Sequence, residues 1–331
     1  MASRFSETKN VLGYELINEP WLGDIYRNKD LLLPQQTEKR YLQPMYDYVS
    51  KSIREVDENK IIFFEGVTID YWPSGFSSVP GGEEYASKSV LAYHIYCPLQ
   101  SPTIDEELAC QTIDKEYMSM RQKDAERLNS GLMMTEFGAM LDTVGDMFEM
   151  EKLMQMVEEF QASWMYWQFK QYEDLTTCTP EGESMYSGVH DSLSERKLRV
   201  LSRSYPQSTA GELNSFSFDS RTSKFEMNYT PWRYSDVPEG TNMISQIYFN
   251  QQVHYKSGVR LKVSVDNHDG TRTPIATTEN VGDLTASVVE LWLCGENRLE
   301  LLYTGNSRST LVVEFENCDA KWDGFCHCQS E

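Results

Sequence analysis

Apolar and polar positions follow two regimes along this chain, and they meet shortly after its midpoint. In the first, short apolar runs bounded by breakers are separated by longer amphipathic stretches. The runs are residues 11–20 (Val-Leu-Gly-Tyr-Glu-Leu-Ile-Asn-Glu-Pro), 60–67, 90–96, 131–139 and 161–169. Such runs suit inner strands of a parallel sheet, buried on both faces. Between them, residues 37–56, 114–128, 146–160 and 194–205 predict helices. In 37–56 Met45, Val49, Ile53 and Val56 share one face, and Pro44 is expected to end or kink an early turn. In 146–160 Met150, Leu153, Met154, Val157 and Phe160 face inward, a packing feature rather than a cofactor box. The last helix is expected to stop at Pro206. Strands alternating with helices predict parallel β/α units with right-handed crossovers.

From about Leu213 the runs become short, β-rich and partly alternating: 213–218, 223–229, 244–249, 259–265, 286–293 and 310–315. Turns such as Asn267-His268-Asp269-Gly270 separate them. This pattern predicts a β-sandwich. The expected division is residues 1–206 and residues 207–331, with the boundary near 206–211.

Charge narrows the partners. With 51 acidic and 30 basic residues the net charge is −21, which argues against nucleic acid, whose phosphates would be repelled. No run of about 18 apolar residues is present, so no membrane span is expected. The N-terminus has no apolar core of the signal-peptide kind. Seven cysteines and the sequon Asn228-Tyr229-Thr230 nevertheless lean towards an oxidising compartment.

Two apolar runs end in a carboxylate. Glu19 precedes the strand-stopping Pro20, and Glu136 lies two residues before Gly138. The carboxyl ends of parallel strands are where α/β barrels place their chemistry. Two such carboxyl groups supply what glycosidic bond cleavage needs, a proton donor and an anionic partner. His94 and Tyr96, two apart on one strand, point the same way. Trp167 closes the fifth run and presents an indole face of the kind that stacks on sugars. Trp164, three residues before it, is expected to pack. His94 with the two glutamates is a weak metal set, because no His-x-x-x-His or cysteine pair frames it; no metal and no cofactor are expected.

Asn18-Glu19-Pro20, His94-Ile95-Tyr96, Thr135-Glu136-Phe137-Gly138 and Trp164-Met165-Tyr166-Trp167 together resemble the successive strand-end motifs of glycoside hydrolase family 5. The string from Gly13 to Trp21 and the Cys97-Pro98 pair resemble its endoglycoceramidase branch. The order and spacing of four motifs make the resemblance specific over roughly residues 11–206. It implies a partial TIM (β/α)8-type barrel followed by a C-terminal all-β sandwich. It implies Glu19 as acid/base, Glu136 as nucleophile and a retaining mechanism, with carboxyl groups about 5 Å apart. By the same resemblance Asn18 holds the sugar 2-hydroxyl, Tyr96 keeps Glu136 anionic, and His94 and Trp167 line the sugar site.

The implied substrate is a glycosphingolipid, cleaved between oligosaccharide and ceramide, with contact to a micelle or membrane surface. An endo-β-glycanase acting on polysaccharide and an inactive sugar- or lipid-binding remnant are the competing readings. Cys97 and Cys110 are expected to form a disulfide. The resemblance begins at the family's fourth strand, so an N-terminally truncated form is expected, with a secreted or endolysosomal full-length counterpart. The first three strands would close the barrel and line the site. Residues 1–331 alone are therefore expected to fold poorly and lack activity.

Overall fold

The computed structural model describes residues 1–68, 71–96, 104–170, 184–187, 192–267, 269, 271–277, 289–293, 297–304 and 309–317. They form two compact units, Met1–Ala139 with Ala162–Phe169, and Met140–Gln161 with Lys170–Glu331.

The first unit begins with a single turn, α1 (Ala2–Phe5), and is built on a parallel five-stranded sheet: β1 (Gly13–Glu15), β2 (Ile61–Glu65), β3 (Ser89–Ile95), β4 (Gly131–Gly138) and β5 (Ser163–Trp167), in that spatial order. Sequential order with parallel pairing is the signature of successive β/α units. The sheet curls. Thr135 Oγ1 on β4 donates to Glu15 Oε1 on β1 at 3.0 Å, across the two strands between them. Together with helices on its convex side, this is part of a (β/α)8 barrel.

Three sequence expectations are corrected here. The first apolar run ladders over only Gly13–Glu15, with Leu16 N–H adding one bond to Phe63 O. Beyond that the ladder stops: Glu19 takes a left-handed φ of +44°, and contact with the end of β2 continues through Glu19 N–H to Glu65 Oε2 and Thr68 N–H to Pro20 O. The helix expected over 37–56 opens with a π-helical turn, Glu38–Leu42, before α2 (Gln43–Arg54). Pro44 lies in the first turn of α2, where its missing N–H costs least, and the wider turn gives its ring room. The face of α2 that is fully buried is Leu42, Tyr46, Ser50 and Arg54, whereas Met45 is only half-buried and Val56 exposed. Polar atoms decide this. Tyr46 Oη donates to Glu65 O at 2.8 Å, and Arg54 donates to Lys60 O at 2.6 Å and Lys88 O at 3.0 Å. Phe64 meets Tyr46 and Phe76 edge-on beneath, and those two rings lie tilted against each other. The helix expected at 114–128 is longer, α3 (Ile104–Leu128).

The second unit contains α4 (Val144–Glu159), the short β6 (Tyr186–Ser187) and β7 (Ser192–Leu193), and α5 (Glu195–Leu201). Thr143 and Ser194 cap the two helices by accepting from Asp146 N–H and Lys197 N–H. Two antiparallel sheets follow. One comprises β9 (Gly211–Asp219), β10 (Lys224–Pro231), β12 (Val259–Asp266), β13 (Arg272–Thr277) and β16 (Thr310–Asn317). The other comprises β8 (Tyr205–Ser208), β11 (Ile244–Tyr248), β14 (Val289–Leu293) and β15 (Arg298–Tyr303). Phe225, Met227, Val263 and Phe315 of the first meet Ile247, Leu299 and Leu301 of the second in one core, a sandwich.

The last helix does not run to Tyr205 as expected. It ends at Leu201, and Pro206 lies inside β8 opposite Ile247, on an edge strand where its missing donor is tolerated. What ends the helix is Arg203, which is 3% exposed. Its guanidinium donates to Glu151 at 3.1 Å, to Glu158 and to the Phe218 carbonyl. Glu158 in turn accepts from Phe218 N–H and Glu151 from the Ser220 hydroxyl. Removing one partner of a buried ionic group strands the others. Arg203→Met is therefore expected to lower stability by about 3–5 kcal/mol, read as a fall in the urea midpoint with the slope unchanged.

Candidate active site

The carboxyl ends of β1 to β5 open on one concave face, and the acidic side chains gather there. Glu19 follows β1. Its Oε1 lies 2.9 Å from His94 Nδ1, and its backbone N–H donates to Glu65 Oε2 at 2.8 Å. His94 and Tyr96 come from the end of β3. His94 Nδ1 also lies 3.7 Å from Glu65 Oε1 and 4.0 Å from Glu136 Oε2, so one ring nitrogen stands among three carboxyl groups. With Nδ1 protonated, the ring donates to Glu19. Carboxylate oxygens of Glu19 and Glu136 and a ring nitrogen of His94 all lie within 4.8 Å of one another. The Tyr96 hydroxyl donates to Glu136 Oε1.

A bulge makes this possible. On β4, Met134 pairs with Tyr93 but Glu136 pairs with His94, leaving Thr135 as an extra residue. Strict alternation would send Thr135 and Glu136 to opposite faces. The bulge lets Thr135 reach Glu15 while Glu136 meets Tyr96. Gly138 then takes φ +125°, and a Cβ there would lie 2.4 Å from Trp167 O. Only glycine permits that approach of β4 to β5.

The remaining sequence candidates fall as follows. Asn18 is exposed, immediately before Glu19. Trp167 is half-buried at the end of β5, paired with Gly138, and its peptide to Gln168 is cis. Trp164 packs edge-on against Phe137 at 5.6 Å, and Phe137 meets Tyr166 edge-on at 5.5 Å. Cys110 is disulfide-bonded, and Cys97 lies outside the described residues.

Sequence reasoning missed Glu65. It is 5% exposed, and burial pushes its carboxyl up to about 7, against the opposing pull of His94 and the Glu19 amide. The signal was present, since Lys-Ile-Ile-Phe-Phe-Glu-Gly is also an apolar run ending in a carboxylate before glycine. The cleft continues from Glu19, Glu65 and His94 to Asp114, Tyr117 and Arg121 of α3. Asp114 is 4% exposed, and burial pushes it up to about 7.

Comparison with known proteins agrees with this architecture. The family description "Cellulase (glycosyl hydrolase family 5)" matches residues 1–173, and "Glycoside hydrolase family 5 C-terminal domain" matches residues 203–286. An endoglycoceramidase of Cyanea nozakii is 37% identical over 266 residues, covering 79% of this chain and 49% of that protein. One of Hydra vulgaris is 36% identical over 266 residues, covering 80% and 46%. Endo-glycoceramidase II from Rhodococcus sp. superposes with a TM-score of 0.70 at 16% identity, over 96% of this chain and 62% of that one. The chain belongs to glycoside hydrolase family 5. It spans about half the length of the animal relatives it matches.

The raised Asp114 carboxyl has a stability consequence. A carboxyl held above its ordinary value of 3.8 adds stability below that pH, and the gain is lost as pH rises through about 7. Glu65 contributes with the same sign. Asp114→Asn is expected to flatten the fall in Tm between pH 4.5 and pH 7.5, measured by calorimetry in matched buffers.

Proposed function

We propose that this chain carries the catalytic pair of a retaining glycoside hydrolase that separates an oligosaccharide from ceramide in glycosphingolipids. The observation that carries the reading is the approach of Glu19, after β1, and Glu136, on β4, to within 4.8 Å across the curled sheet, the range in which one carboxylate attacks while the other moves a proton. Glu136, which accepts a hydrogen bond from the Tyr96 hydroxyl, attacks the anomeric carbon as the bond to the ceramide oxygen breaks. Glu19 gives its proton to that oxygen. Water then attacks the glycosyl–enzyme ester, Glu19 takes the water's proton, and Glu136 leaves. Asn18 is assigned to the sugar 2-hydroxyl, where the contact strengthens in the transition state. Trp167 is assigned to stacking on the sugar face.

The lipid substrate rests on the relatives. Two animal proteins of 36–37% identity are endoglycoceramidases, and a Rhodococcus structure of the same fold is a ganglioside GM3 complex. A polysaccharide substrate shares the catalytic pair but has no such support among these relatives.

In a form of the protein that turns over a fluorescent ganglioside, Glu136→Gln is expected to abolish release of the oligosaccharide. A 2-fluoro lactoside should label the Glu136 peptide in the unsubstituted chain, detected by mass spectrometry; label elsewhere, or inversion at the anomeric carbon, rules the mechanism out. Glu19→Gln should lower turnover by about 10²–10⁴-fold. Tyr96→Phe should lower kcat/KM by about 10- to 100-fold, the worth of a hydrogen bond to a charged group.

A further inference from the structure

We infer that Glu65 is a positioning residue that holds Glu19, the proposed proton donor, in its working geometry. The inference rests on the acid/base reading of Glu19 and adds a third carboxyl group to the site. Glu19 has a left-handed φ of +44°, a conformation that non-glycine residues adopt only when something holds them there. Its N–H donates to Glu65 Oε2 at 2.8 Å, within the distance of a full hydrogen bond. The second Glu65 oxygen lies 3.7 Å from His94 Nδ1, the atom that contacts the Glu19 carboxyl. One buried side chain thus fixes Glu19 at its backbone and stands beside the ring that fixes its carboxyl.

Glu65 is itself held rigidly. It ends β2 opposite Ala92, and Tyr46 Oη donates to its carbonyl at 2.8 Å. Its carboxyl faces Glu15 and Glu19 from β1 and the segment after it, and His94 from β3. Glu65 makes no bond to substrate in this role. Its effect passes through Glu19.

The kinetic test uses a form of the protein that turns over ganglioside, and two leaving groups. Glu65→Gln keeps an oxygen acceptor for the Glu19 N–H, whereas Glu65→Leu removes it. Glu65→Leu should lower kcat/KM for a ganglioside by about 10- to 100-fold, the cost of leaving the Glu19 N–H without its acceptor. With a dinitrophenyl lactoside, whose departure needs no proton, the loss should stay under about threefold. Glu65→Gln should fall between wild type and Glu65→Leu on the ganglioside. Equal losses on both substrates, as from general unfolding, overturn the inference, as does no loss on either.

Glu19→Ala run alongside separates the two claims. If Glu19→Ala lacks the leaving-group dependence, the acid/base reading itself fails. If it shows the dependence and Glu65→Leu does not, only the role of Glu65 fails. A crystal structure of Glu65→Leu decides the same point without turnover. Glu19 should leave its left-handed φ and its contact with His94, and retention of both overturns the inference.

Discussion

A single imidazole nitrogen, His94 Nδ1, stands among the carboxyl groups of Glu19, Glu65 and Glu136, and the rest of the site depends on that arrangement. Two like charges about 4 Å apart repel by roughly 4 kcal/mol at the effective dielectric of a protein surface. Carboxylates gathered this closely need a donor between them or a proton on one of them. The structure provides both routes. His94 and the Tyr96 hydroxyl donate to Glu19 and Glu136, and burial keeps a proton on Glu65 up to near neutral pH.

The scaffold delivers these groups by simple means. Parallel pairing in sequential order brings every strand's carboxyl end to one side. Curling brings β1 within reach of β4, recorded in the Thr135–Glu15 hydrogen bond. The bulge at Thr135 turns Glu136 inward, and Gly138 permits the close crossing to β5. Each device departs from ideal strand geometry, and each departure lies beside a side chain of the site.

The second unit follows a different economy. Its sandwich core is apolar, but the segment leading into it is organised by Arg203 with Glu151 and Glu158, all nearly inaccessible to water. That buried ionic group sets where α5 ends and β8 begins, a point the hydrophobic pattern placed four residues too late. A similar override occurs in α2, where carbonyl partners of Tyr46 and Arg54 select the buried face in place of the apolar stripe at Met45 and Val56.

Local pattern determined much of this protein. Apolar runs with breakers located all five parallel strands; β2 to β4 are largely buried, as such runs imply, while β1 and β5 are only half-buried. Glu19, Glu136, His94 and Tyr96 were legible because strand ends carry short motifs whose spacing survives in one dimension. Three strands of the sandwich were missed: β8 and β13, edge strands that carry prolines, and β15, an interior strand whose alternating burial was present as Arg-Leu-Glu-Leu. Only the tertiary structure decided the left-handed turn at Glu19, the bulge at Thr135 and the place of Glu65. These depend on which atoms meet across strands distant in sequence, and no periodicity along the chain encodes such a meeting.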